Sequence, residues 1–564
     1  MPPLDPHQQP VAGTVYAPDG AALPADPARA ALARRVIRDA LFLGVSASAL
    51  LHEGPGGIGV PIWVALLLAS LVALVWRAEG RIGREPGAWL AGALLFATLH
   101  GLDDGGFLAF LDVVATLGCL IMVGVAITGM PVPGLLAARV RDLAASGLRA
   151  VRHATTWAVP LVLRDADWSG VGRALSSRGG GASVRAVLLT LPLVIVFGAL
   201  LRSADPMFAS LVALPTIDAE MVLSYLLIGG VFAWISAGWL RGVIVEPETP
   251  RLERPLRLPA LGAIEIGTAL GAVSLLFATF VLVQLRWMFG GEAVVRATTG
   301  LGFAEYARRG FFELVWVALL TLPLLLGIDG LTPRTDTRAR GRFRLLGRVL
   351  LVLLAAVVAS ALGRMGLYVR YYGLSIDRLY ATAFMVWIAI VLAWLAATVL
   401  RDRARPFAAG MVVSALLVLA ALHALRPDAF VARHNLARGP LAVATATGAV
   451  RERPVDLDYL ASLGASAVPV VVSAVLRAPT QTPAQVRMRC DAAQTLLESW
   501  GSDDWLAARH PERIERRARA YDWRLWNPSR QSARATVRTN EAALQRSCVT
   551  ARGEFRGDRW IATQ

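Results

Sequence analysis

The stretch Leu379–Leu400, LYATAFMVWIAIVLAWLAATVL, contains no charged side chain. Coiled into a helix it would reach about 33 Å, enough to cross a hydrocarbon core of about 30 Å. No water is present in that core, so the backbone must satisfy its own hydrogen bonds, and a helix does so within one segment. Outward from this run, ten further apolar runs lie near 39–52, 57–76, 87–100, 105–128, 186–201, 221–240, 262–285, 310–328, 349–363 and 407–425. A span needs roughly 17–25 residues, so the runs at 39–52, 87–100 and 349–363 are short and leave the count open. Ala154–Leu163 is shorter still and is expected at the interface. The expectation is an all-α fold, a polytopic transmembrane helix bundle of about 11 spans.

Composition agrees. Hydrophobic residues make up 55% of the 564, charged residues 17%, and the mean hydropathy is +0.54. A soluble chain carries about 25% charged residues. Soluble enzymes, disordered chains, coiled coils and collagens are excluded. All 57 basic residues are Arg, which removes a phosphate-loop lysine, a Schiff-base lysine and a lysine-attached carrier. An all-Arg, Ala-rich chain suggests a GC-rich bacterial genome. The net charge of +16 comes without a helix-turn-helix, zinc-finger or RNA-recognition signature, so nucleic acid is not an expected partner.

Arginine distribution sets the orientation. With the N-terminus inside, the cytoplasmic segments hold 28 Arg, the opposite loops 8 and the tail from 426 the remaining 21. That bias obeys the positive-inside rule. Eleven spans then put the tail outside the cytoplasm. The expected organisation is a disordered, Pro-rich cytoplasmic segment over 1–35, a transmembrane domain over 36–425 and an extracytoplasmic helical domain over 426–564. The expected location is a bacterial cytoplasmic (inner) membrane, with the lipid bilayer and other envelope proteins as partners. Within the tail, helical signals fall at Asp456–Leu463, Ala467–Leu476, Pro483–Trp500 and Pro528–Cys548. Asn527–Pro528 is a cap and first-turn pair. Trp500, Trp505, Trp523 and Trp526 are expected to form a core. Cys490 and Cys548 both lie in the tail, and in an oxidising compartment they are expected to form a disulfide. Cys119 sits in a span as a small apolar side chain.

Several stretches together resemble one family. They are Ser203–Phe208 (SADPMF), Trp287–Gly291 (WMFGG), Glu305–Val315 (EYARRGFFELV), Tyr372–Ser375 (YGLS) with Arg378–Leu379–Tyr380, Asp458–Tyr459–Leu460, and Ala467–Val468–Pro469. They look like bacterial multi-pass membrane proteins of the domain-of-unknown-function class four-one-seven-three, related to class four-one-five-three. The resemblance implies a polytopic membrane protein and carries no assigned activity.

Chemistry is sparse. His7, His52, His100, His153, His423, His434 and His510 show no metal-ligand spacing, so neither a metal nor a cofactor is expected. His423 is expected as a hydrogen-bonded helix contact inside the last span. Carboxylates in apolar runs are costly, and Asp112 and Glu265 are candidates for an ion or proton path, or else for interfacial residues with a local partner. Asp205, Glu305, Tyr306, Arg309, Glu313, Tyr371, Tyr372 and Arg378 form a candidate polar site on the outer face. Glu305, Arg309 and Glu313 would share one helical stripe. They would act as charge compensation or as a pocket with a forked donor. Three functions compete: an envelope structural or sensory protein displaying its tail, an ion- or proton-coupled transporter, and a membrane transferase acting on a lipid-linked substrate. The last would draw a carboxylate from Glu53, Asp103 or Asp104.

Overall fold

The computed structural model describes residues 27–102, 106–128, 140–166, 219–245, 260–299, 311–403, 406–444, 450–510, 522–549 and 553–562, apart from isolated positions. The segment over 1–26 lies outside them, and the apolar run at 186–201 is described at nine of its sixteen positions. The membrane part contains α1 (Pro27–Leu51), α2 (Gly59–Glu79), α3 (Arg84–Leu102), α4 (Gly106–Thr128), α5 (Val140–Thr156), α6 (Ala219–Leu240), α7 (Ala263–Thr299), α8 (Phe311–Leu331), α9 (Thr337–Tyr372), α10 (Ile376–Thr398) and α11 (Phe407–Leu425). Among the described residues, seven helices are long and apolar enough to cross a membrane: α2, α4, α6, α7, α9, α10 and α11. The chain is a membrane protein. The apolar runs at 39–52, 87–100 and 310–328 also lie on helices, within α1, α3 and α8. α9 explains one short run. Its 36 residues continue through Arg338–Arg348 at one end and Arg364–Arg370 at the other, so only its middle is apolar. Leu226, Leu276, Leu320 and Val352 remain exposed on these helices, as side chains facing lipid do.

The chain divides into two compact units. The first comprises Met1–His52, Ala69–Arg81 and Leu148–Glu248. Here α1 packs on α6 through small residues. A Cβ on Gly44 would stand 2.5 Å from the Gly229 carbonyl and 2.7 Å from Ala233 Cβ, so only glycine permits the approach. Ser48 Oγ donates to the Tyr225 carbonyl at 2.6 Å. At the other end of the pair, buried Asp165 accepts from Arg241 at 2.5 Å and from Arg29 at 2.9 Å, with Arg241 over the Trp157 ring at 4.6 Å.

The second unit comprises Glu53–Leu68, Ile82–Gly147 and Thr249–Gln564. Its membrane core is centred on α9. Leu350, Leu354 and Val357 meet Ile266 and Leu270 of α7, Leu325 of α8 and Ile388, Leu392 and Leu395 of α10. Helix ends gather in two sets. At the start of α9, Arg340 is buried against Asp329 of α8 at 2.7 Å and against Asp402 beyond α10. At the other end of α9 lies the tail.

The tail is built from α12 (Pro427–Arg438), α13 (Leu457–Ala461), α14 (Val468–Arg477), α15 (Pro483–Trp500), α16 (Asp503–Arg509), α17 (Pro528–Thr539) and α18 (Glu541–Val549). Two antiparallel hairpins are attached, Leu441–Ala444 with Val450–Arg453 and Gly553–Arg556 with Arg559–Ala562. Local chemistry fixes the helix starts: Asp456 caps α13, Thr482 and Gln485 form a capping box on α15, and Asn527 caps α17. The core is aliphatic: Val468, Val471, Val472, Val475, Leu496, Leu497, Val537 and Leu544. The expected tryptophan core is corrected in part by the structure. Trp505 is buried in the core and Trp500 packs against it, whereas Trp523 and Trp526 are 57% and 40% exposed, on and just after a single turn of 3-10 helix. Cys490 and Cys548 are bonded, their Cα atoms 4.7 Å apart, tying α15 to α18.

Three outcomes are expected. Unreduced, denatured chain should expose one reactive thiol, Cys119, and three after reduction; three before reduction would refute the bridge. Removing the bridge should lower tail stability by about 2–4 kcal/mol, read by denaturant unfolding of the double alanine variant. Gly44→Val should overpack the α1–α6 contact and cost about 1–3 kcal/mol, read as a lower melting temperature in detergent.

Candidate functional site

The tail meets the membrane helices of its own unit at three turns. Leu525 lies over Gly57, where φ is +67° and a Cβ would stand 2.5 Å from Leu525 Cα. Buried Asn527 uses its side-chain oxygen to cap α17 and its Nδ2 to donate to the Gly101 carbonyl at 3.2 Å. The third turn, Gly373–Leu374–Ser375 between α9 and α10, is clasped by Asn435 of α12. Leu374 N donates to Asn435 Oδ1 at 2.9 Å, and Asn435 Nδ2 donates back to Leu374 O at 2.7 Å. The Ile376 amide donates to the Tyr459 hydroxyl at 3.0 Å. Arg438 donates to the terminal carbonyls of α9, Val369 and Arg370, which have no partner within the helix.

These contacts enclose a cavity of about 260 Å³, lined among others by Tyr372, Arg378, Asn435, Arg438, Asp456 and Tyr459. Arg378 donates to the Gly373 carbonyl and stacks on Tyr368, its guanidinium carbon 4.2 Å from the ring centre. Burial pushes the Tyr459 hydroxyl above its usual range, and Asp377 and Asp428 add to that. Burial and the like charge of Arg370 hold Arg438 below its usual range.

A second polar constellation lies inside the membrane helices. Asp112, two turns into α4, is fully buried, and its Oδ1 is 2.7 Å from His423 Nε2 near the end of α11. Asp112 Oδ2 has no hydrogen-bond partner among the described residues. His100, near the end of α3, also acts electrostatically on Asp112.

Of the sequence candidates, Tyr372 and Arg378 line the cavity. Tyr371 lies on the last turn of α9, its side chain outside the described residues. Asp205, Glu305, Tyr306 and Arg309 lie outside them too, as do Asp103 and Asp104, so two members of the Glu305–Arg309–Glu313 stripe fall outside the described residues. Glu313 is exposed in the first turn of α8, and Glu265 is exposed in the first turn of α7. Glu53 is half-buried beyond α1. Among the described residues no three His, Cys, Asp or Glu side chains converge as metal ligands. Sequence reasoning missed Asn435, Arg438 and Asp456 as cavity residues. Their signals were local only: a polar i, i+3 pair on α12 and a helix cap.

No curated protein and no solved structure matches the chain significantly. A family profile does match, over residues 90–474, and that interval takes in Asp112, His423 and the whole lining of the cavity. The profile corresponds to the second of the two related classes that the sequence motifs resemble. By a match over more than half its length, the chain belongs to the family described as Domain of unknown function (DUF4153).

Proposed function

We propose that the chain is an eleven-span protein of a bacterial cytoplasmic membrane, with a cytoplasmic N-terminal segment over 1–35 and a transmembrane domain over 36–425. Residues 426–564 are held on the outer face as an envelope structural or sensory module, facing other envelope proteins. The motifs around Glu305–Val315 ally it with class four-one-seven-three. One observation carries this reading: the three places that bind the tail, at Gly57, at Gly101 in the last turn of α3 and at Leu374, all lie at helix ends on the Arg-poor side of the 28-to-8 bias. The Cys490–Cys548 bridge adds support, since disulfides persist in oxidising compartments. Alkaline phosphatase fused after Gln564 should be active. A fluorescent cytoplasmic reporter at the same point, bright in place of a silent one, would refute the orientation.

A second reading attaches to the Asp112–His423 pair, a buried acid and imidazole at 2.7 Å that could exchange a proton within the bundle. In liposomes it expects proton-driven flux that Asp112→Asn abolishes while the melting temperature stays unchanged. Flux that persists in Asp112→Asn ends this reading.

A further inference from the structure

The cavity beneath the tail holds hydrogen-bond donors that the fold does not consume. Arg438 commits both terminal nitrogens to α9 carbonyls. Arg378 commits one, to Gly373, and its Nε and second Nη have no hydrogen-bond partner among the described residues. The Tyr368 ring beneath fixes the plane of the guanidinium, so the remaining fork is oriented in advance. The Tyr459 hydroxyl accepts from the Ile376 amide, which leaves its own proton to donate. The lining carries two Arg against one carboxylate, Asp456, whose Oδ1 is occupied by the Tyr459 amide. Around it, Arg370 lies close to Arg438, and Asp377 and Asp428 act on Tyr459. The lining itself is positive by one charge, and its free groups are donors.

Position narrows the ligand. The cavity is bounded by the last turn of one spanning helix and the first turn of the next, the depth at which lipid phosphates lie. Tyr372, 45% exposed, stands beside it, as interfacial aromatics do. A volume of 260 Å³ equals the share of about nine waters, more than a bare phosphate needs and suited to a headgroup.

We infer that this cavity binds the phosphodiester of an anionic phospholipid headgroup, with the Arg378 fork and the Tyr459 hydroxyl as its donors. The inference rests on the spans and not on which face the tail occupies. The test uses the purified, delipidated full-length chain in neutral detergent, titrated with short-chain phosphatidylglycerol and, separately, with soluble glycerophosphoglycerol. Native mass spectrometry reads occupancy and the unfolding midpoint reads stabilisation. Phosphatidylglycerol should bind saturably at one site. Arg378→Gln should weaken it roughly tenfold, because a hydrogen bond to a charged group is lost. Arg378→Lys keeps the charge without the fork and should lose less. Arg433→Gln, on an exposed residue of α12 outside the cavity, should bind as the unaltered chain does. Equal binding of glycerophosphoglycerol would support the phosphate site and assign it to a soluble phosphodiester. Unchanged binding in Arg378→Gln overturns the inference. If that variant does not fold, unchanged binding in Arg378→Lys does so. Equal weakening by Arg433→Gln, a sign of nonspecific attraction, also overturns it.

Discussion

Hydrocarbon offers no hydrogen-bond partners, and this constraint bears on where the ion pairs of the described residues lie. The middles of the helices are largely aliphatic, with exceptions such as Ser360 against Gln284, and the charged groups gather near helix ends. Arg29, Asp165 and Arg241 meet at one end of the α1–α6 pair, and Arg340, Asp329 and Asp402 at one end of the α8–α10 group. The cavity lined by Arg378 and Arg438 occupies the opposite end of α9. Asp112 is fully buried two turns into α4, and it is tolerated because His423 reaches it from the end of α11. A buried charge deprived of its partner costs about 3–5 kcal/mol, so such groups appear in sets.

The absence of lysine gives these sets their character. A guanidinium is planar and can serve several acceptors at once. Arg340 bridges two carboxylates from different segments, Asp329 on α8 and Asp402 beyond α10, and Arg438 closes two carbonyls of one helix end. An ammonium would have to choose among them. The same planarity lets Arg241 lie over Trp157 and Arg378 over Tyr368, so aromatic rings near the helix ends hold the cations in place. The joint between tail and bundle uses backbone recognition as well. Asn435 presents to Leu374 the donor and acceptor of a peptide group, while the Leu374 side chain is buried in the tail core.

How much of this was legible depended on distance along the chain. The spans showed because apolarity is a property of consecutive residues, and the caps at Asp456 and Asn527 because a cap acts within one turn. The cysteine pair followed from where both residues fell. Run lengths misled at 349–363, because a helix does not stop where its apolar stretch does; α9 continues through arginines at each end. The tryptophans misled because size alone does not bury a side chain: Trp523 and Trp526 lie on a segment that contributes no residue to the aliphatic core. Asp112 and His423 were each legible as unusual, but 311 residues separate them and nothing local announced the pair. Tyr372 and Arg378 could be placed on one turn, whereas Asn435, Arg438 and Tyr459 reach it only through the fold of the tail.

α9 gives these features a mechanical relation. It is one unbroken helix from Thr337 to Tyr372, about 54 Å long at 1.5 Å per residue. Its first turns carry Arg340, and its last turn forms a wall of the cavity. A helix is far stiffer along its axis than the side-chain contacts around it. Because the helix is continuous, its register is shared by both places: an axial shift of the cavity wall would also be a shift at the Arg340–Asp329–Asp402 cluster, where hydrogen bonds respond to a few tenths of an ångström.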